Sequence, residues 1–168
     1  MPLNESSIEH LTIDLLREVG FVYISPEELE AERPDLSDVV LRDRLAAAMD
    51  RLNPDIPADV RAYAMSELIR TASATDNVVE NNRAVHRLLV EGVRVEVLED
   101  GVMRGREVRV VDWDDVNANE CVVTNQLYIK GLERDKIPDV VVFVNGLPLV
   151  VIELKDAKNE EATVHKAF

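Results

Sequence analysis

The sequence is poor in aromatic residues, with one Trp, three Tyr and three Phe among 168 residues, so aliphatic side chains must build its core. Cysteine is scarcer still. Cys121 stands alone, which excludes an internal disulfide and a cysteine-rich zinc site; it is expected to pack as a small hydrophobe. Long apolar runs are also missing. The most apolar stretch, 140–154, is interrupted by Asn145-Gly146 and Pro148 and is too short to span a bilayer. Met1 to Leu11 has no basic segment followed by an apolar one, so no signal peptide is expected. Positive charge is in short supply: 19 Lys and Arg against 33 Asp and Glu leave a net charge of −14. Affinity for nucleic acid comes mainly from cationic side chains meeting phosphates, so such a chain should not grip DNA by itself. The shortage is uneven. Residues 1–100 carry 21 acidic and 10 basic side chains and residues 101–168 carry 12 and 9, so DNA would meet less repulsion in the C-terminal part. These features fit a bacterial cytoplasmic protein with no membrane partner.

What is present fits one domain. A chain of 168 residues buries roughly two-thirds of its unfolded surface, and no solenoid repeat or low-complexity segment interrupts it. Up to about residue 92 the pattern is mainly helical. Ser6-x-x-Glu9 reads as a capping box ahead of Ile8, Leu11, Leu15 and Val19 at helical spacing, with Gly20 as the stop. Phe21 to Ile24 reads as a short strand, and Ser25-Pro26 opens a brief helical turn with Pro at the first helical position. Further helices are expected over about 38–52, closed by Asn53-Pro54, over 57–72, and over 78–91, closed by Gly92.

Beyond Gly92 the apolar period changes to two. Val93, Val95 and Val97, then Val108 and Val110, alternate with charged residues around Asp100-Gly101 and Gly105, which predicts half-buried strands. Cys121 to Lys130 reads as a third strand. Val140–Val144 and Leu149–Ile152 are apolar on both faces, the pattern of central strands covered on both sides, and Asn145-Gly146 between them is a strong hairpin signal. A last helix is expected from about Glu160, still open at Phe168. The reading is a single domain over 1–168, helical over about 1–92, with its sheet core over about 93–168.

Polar residues flank the apolar hairpin: Asp139 just before it, Glu153 and Lys155 just after it. Two carboxylates can hold Mg²⁺ through oxygen ligands and leave positions open for water and phosphate. The ion would polarise the scissile phosphate and lower the pKa of the attacking water, and a lysine would orient that water or offset charge on the phosphorane. Glu153 and Lys155, two apart on a strand, share a face. Pro138-Asp139 followed by Glu153-x-Lys155 thus resembles the PD-(D/E)xK nuclease pattern. The plain alternative is a strand end dressed with solvated charges, since Pro-Asp pairs and Glu-x-Lys triplets are common.

A longer resemblance covers nearly the whole chain in order. The 19-residue block Ile137–Lys155, continuing through Thr163, closely resembles the nuclease motif of the DNA-cleaving subunits of type I restriction-modification enzymes. Glu80–Val93, Arg51–Pro54, and the first helix with Gly20-Phe21 resemble other segments of that family. The resemblance implies an α/β fold, a restriction-endonuclease-like mixed β-sheet flanked by helices, with an extra helical N-terminal part. It implies that Asp139 and Glu153 bind the metal, that Lys155 is the catalytic lysine, and that the activity is Mg²⁺-dependent endonucleolytic cleavage of double-stranded DNA, as in type I site-specific deoxyribonucleases. It also implies partners, a methyltransferase (modification) subunit and a specificity subunit, and coupling to ATP-driven translocation. No Gly-x-x-x-x-Gly-Lys-Ser/Thr phosphate loop is present, so ATP would act only through motor domains absent from this chain. The family motif runs on into a helix with a Gln-x-x-x-Tyr pair, expected just beyond Phe168, so the isolated chain should cut weakly or not at all. Two alternatives remain: a stand-alone resolvase or repair nuclease of the same superfamily, and a non-catalytic docking module on the same fold.

Several residues keep two readings. Glu9 is either an additional acidic residue near the metal or a solvated capping-box Glu. Glu80, Asn81, Asn82, Arg83 and His86 either organise a site or interface or fix a helix start. His10, His86 and His165 have no recognisable ligand spacing. The hairpin also carries a condition. A two-residue loop at Asn145-Gly146 pairs Val144 with Leu147 and sets Asp139 opposite Ile152, leaving Glu153 on the wrong face. A shared site therefore requires a three-residue loop or a compensating bulge. Two close carboxylates should strain the metal-free fold, so Asp139→Asn is expected to leave stability unchanged or raise it.

Overall fold

A computed structural model describes residues 5–155, and the expected last helix, with His165, lies outside them. The chain divides into two compact units, Met1–Leu41 with Cys121–Phe168, and Arg42–Glu120.

The first unit holds the mixed sheet. Its elements are α1 (Glu5–Glu18), β1 (Val22–Tyr23), α2 (Pro26–Ala31), β4 (Cys121–Asn125), β5 (Val140–Val144) and β6 (Leu147–Ile152). Among the described residues the strand order is β1-β4-β5-β6, with β1 parallel to β4 and the other pairs antiparallel. Strand alternation divides the apolar residues between two faces. Val123, Val140 and Val142 pack with Ile13 of α1, while Val122, Val141 and Phe143 pack with Leu29 of α2 and Leu41. This mixed sheet flanked by helices is consistent with a restriction-endonuclease-like fold. Ser25 and Pro26 start α2 as expected, and its capping box is formed by Ser25 and Glu28.

The second unit carries α3 (Arg42–Leu52), α4 (Ala58–Thr71), α5 (Val78–Glu91), β2 (Val93–Glu99), β3 (Val102–Val108) and a 3₁₀ turn at Val116–Ala118. Leu45, Ala48 and Leu52, four or so apart, form the buried stripe of α3, and Val93, Val95 and Val97 the buried edge of β2. Here the expected division is corrected. The sheet core does not run from residue 93, because among the described residues β2 and β3 pair only with each other, and they belong with α3–α5. On the opposite face the cross-strand partners Leu98 and Met103 stay exposed, and nothing in a period-two pattern says which sheet a strand joins.

β5 is buried along its length apart from Val144, as its apolar pattern predicts. The expectation that β6 is equally covered fails: Leu149, Val150 and Val151 are exposed, and β6 lies at the sheet edge among the described residues. Pro148 gives the reason, since proline cannot donate to the ladder and is confined to edges and bulges. The ladder also slips here. Val144 pairs with Leu147 and Phe143 with Pro148, but Val142 pairs with Val150, leaving Leu149 as the extra residue of a bulge. The two-residue turn is thus accompanied by the compensating bulge that a shared site requires. Among the described residues no helix is long and apolar enough to cross a membrane.

Candidate active site

The last pair of the β5–β6 ladder is Val140↔Ile152; Asp139 directly precedes this pair on one chain and Glu153 directly follows it on the other. Asp139 is half-buried, while Glu153 and Lys155 are exposed at the end of the edge strand. The Leu154 N–H, directly after Glu153, donates to Asp139 Oδ2 at 2.6 Å. Asp139 is thereby tied to the backbone that carries Glu153 and Lys155.

Glu9 enters from α1. The capping box expected at Ser6 and Glu9 does not form, because α1 already includes Glu5 and Ser6 lies inside it. Glu9 is buried instead. Its Oε1 accepts from Asn125 Nδ2 at 2.6 Å and its Oε2 from Gln126 Nε2 at 2.7 Å. Gln126 follows β4 with φ 47°, which turns the chain out of the strand. Its Nε2 also donates to Asp139 Oδ1 at 3.3 Å and its backbone N–H to the Asp139 carbonyl at 3.0 Å. Both amides turn their NH₂ groups toward the Glu9 carboxylate oxygens, and Asn125 Oδ1 is left to accept from the Tyr23 hydroxyl at 2.9 Å. Burial, with Glu27, Glu9 and Glu28 nearby, raises the pKa of that phenol, so it remains a donor. A continuous hydrogen-bonded chain therefore runs Tyr23–Asn125–Glu9–Gln126–Asp139–Leu154.

These bonds reverse one expectation. Asp139 accepts a backbone and an amide N–H, so neutralising it removes charge-assisted bonds rather than relieving repulsion alone. Among the described residues no three His, Cys, Asp or Glu side chains are grouped as a metal cluster. Asp139 and Glu153, which flank the last pair of the ladder, carry carboxylate oxygens, a donor type that fits a hard divalent cation completed by water. Lys155, two residues after Glu153 and exposed, makes no hydrogen bond or ion pair among the described residues.

Of the other polar residues singled out in the sequence, Asn81 is structural. It is buried, donates to the Thr75 carbonyl at 2.8 Å and accepts from Thr75 N–H and Oγ1 at 3.1 and 3.0 Å. Asn77 caps α5. Glu80, Asn82, Arg83 and His86 lie exposed on α5. Sequence reasoning missed Tyr23, Asn125 and Gln126. Their one signal is the amide pair Asn125-Gln126 closing an otherwise apolar strand.

A family model described as "Type I restriction enzyme R protein N terminus" matches residues 2–168. The type I restriction enzyme HindI endonuclease subunit of Haemophilus influenzae is 38% identical over 174 residues, covering 99% of this chain and 16% of that protein. The "Putative type I restriction enzyme MjaIXP endonuclease subunit" of Methanocaldococcus jannaschii is 31% identical over 175 residues, again 99% of this chain and 16% of the relative. The chain thus spans about a sixth of the length of these relatives.

Proposed function

The chain belongs to the type I restriction enzyme R protein N-terminal family, and on that premise we propose that Asp139, Glu153 and Lys155 form a Mg²⁺-dependent phosphodiesterase centre that cleaves double-stranded DNA. The bulge at Leu149 carries the proposal, because it shifts the ladder so that Val140 pairs with Ile152, and the next residues outward, Asp139 and Glu153, would then share a face that the plain two-residue hairpin would deny them. Asp139 and Glu153 would hold the ion. When bound it supplies Lewis acidity toward the scissile phosphate and its water. Lys155, exposed on the same strand end, would neutralise charge developing on the phosphate oxygens. The network from Glu9 holds Asp139 in place throughout. The net charge of −14 opposes capture of DNA by this chain alone, which agrees with a role inside a complex whose methyltransferase and specificity subunits select the target, and with cleavage coupled to ATP-driven translocation by motor domains elsewhere in the protein. The isolated chain should then cut plain duplex weakly or not at all.

Thermal melts at constant ionic strength test the centre. Mg²⁺ at a hundredfold excess over Kd should stabilise the wild type by about 2.7 kcal/mol and do little for Asp139→Asn or Glu153→Gln. Equal responses in all three proteins would favour a docking module without a metal site. Efficient ATP-independent cleavage of plain duplex by the chain would favour a stand-alone nuclease.

A further inference from the structure

We propose that Gln126 is the positioning residue of this site, fixing the Asp139 carboxylate through an amide that is itself anchored on buried Glu9. The inference rests on the metal-centre reading for its functional meaning, though not for its geometry.

Gln126 meets Asp139 twice, through the backbone bond at 3.0 Å and the side-chain bond to Oδ1 at 3.3 Å. Its φ of 47° lies in the left-handed region, which disfavours a residue with a branched or long side chain. A glycine would adopt that turn more easily but would have no amide to give. The Nε2 group carries two protons, and both have acceptors, Glu9 Oε2 at 2.7 Å and Asp139 Oδ1 at 3.3 Å. Swinging the amide away would break a charge-assisted bond to a buried carboxylate, one that Asn125 holds from its other oxygen at 2.6 Å. Asp139 Oδ2 is meanwhile fixed by Leu154 N–H at 2.6 Å. With one bond on each oxygen, the remaining lone pairs of Asp139 keep one direction. In this arrangement Glu9 acts on Asp139 through Gln126, as the anchor of the amide.

Gln126→Met keeps the side-chain length and removes both donors. In the metal-free protein the Leu154 amide reports Asp139 directly, because its hydrogen bond ends on Asp139 Oδ2. In Gln126→Met the Leu154 amide resonance should move toward its position in Asp139→Asn, and its hydrogen exchange should accelerate. The Ile129 amide, bonded to the Lys136 carbonyl at 2.9 Å, should be unaffected. Mn²⁺ affinity, measured by calorimetry, should fall about tenfold, the usual effect of removing a hydrogen bond to a metal-binding carboxylate. Glu9→Gln keeps the packing, loosens the anchor and should shift the same amide less, which provides a reading if Gln126→Met does not fold. An unchanged Leu154 amide in both variants overturns the proposal, as does wild-type Mn²⁺ affinity in Gln126→Met. If the wild type itself shows no saturable Mn²⁺ binding, the metal-centre reading fails, and the Leu154 amide still decides whether Gln126 positions Asp139.

Discussion

The hairpins β2–β3 and β5–β6 turn on the same chemistry. Asp100-Gly101 and Asn145-Gly146 take φ values of 52° and 77°, and of 51° and 80°, the positive pair that a two-residue type I′ turn requires. Beyond the turns they diverge. β2–β3 pairs without interruption from Glu99↔Val102 to Val93↔Val108, whereas β5–β6 slips by one residue between Val142 and Phe143. Their far ends differ too. Buried Asn53 grips the chain just beyond β3, accepting from Arg109 N–H at 2.7 Å and donating to the Arg109 carbonyl at 2.8 Å. At the base of β5–β6 the corresponding grip is a carboxylate, Asp139 accepting from Leu154 N–H. The same turn thus serves a hairpin closed by a neutral amide and one closed by a carboxylate, and the bulge and the closing residue make the difference.

The largest effect should separate the two strands of the second hairpin. Phe143→Ala empties a site that is 1% exposed and should cost about 3–5 kcal/mol. Val151→Ala, at 56% exposure, should cost less than about 1 kcal/mol. Equal losses in denaturant midpoint would mean that β6 is covered after all. Next come the two closing residues. Asn53→Ala strands the Arg109 N–H and carbonyl and should destabilise by about 2 kcal/mol, whatever the metal concentration. Asp139→Asn should destabilise the metal-free protein by about 1 kcal/mol, and by more when Mg²⁺ is present. A gain in metal-free melting temperature for Asp139→Asn would restore the repulsion expected from the sequence.

A smaller change should convert one hairpin toward the other. Pro148→Val returns an N–H to β6, and the exposed faces of Val150 and Val151 specify register weakly. The ladder should straighten, with a gain of about 0.5 kcal/mol and loss of the Leu154 bond to Asp139, visible in the amide spectrum. A retained bulge would show that burial of Phe143 and Leu147, rather than proline, sets the slip. The smallest effect concerns the loop after β3. N–H bonds from Asp115, then Asp114, with Arg109 nearby, outweigh desolvation and hold the Asp112 carboxyl below its ordinary pKa. A folded value below the unfolded one stabilises the protein above the unfolded pKa, and that contribution disappears as pH falls through the folded value. Asp112→Asn should therefore lower stability at neutral pH and leave it unchanged in strong acid. The same deficit at both pH values would contradict this linkage.

Much of this organisation was legible in local pattern. Residues 78–91 formed the expected helix with Gly92 as its stop, and Ser25-Pro26 opened α2, because caps and breakers act within a few residues. The need for a bulge followed from counting residues between Asp139 and Glu153. Its position came only from the structure, where Pro148 directly precedes the extra residue Leu149. The sequence left Glu9 with two readings because its partners, Asn125 and Gln126, lie more than a hundred residues away in sequence, beyond any helical periodicity. The strands after Gly92 were assigned to the main sheet for a similar reason, since alternation predicts a strand and is silent about its neighbours.

By itself the sequence determined the helices, the turns, the apolar strands and the identity of the acids and lysine at the hairpin's end, all properties of short segments with their own steric and hydrogen-bonding preferences. Tertiary structure alone decided that among the described residues β2 and β3 form a two-stranded sheet of their own, that β6 lies at the edge of the mixed sheet, and that Glu9 reaches Asp139 through Gln126. Those outcomes depend on which distant segments bury one another's apolar faces and satisfy one another's polar groups, and that pairing is set by the packing of the whole unit.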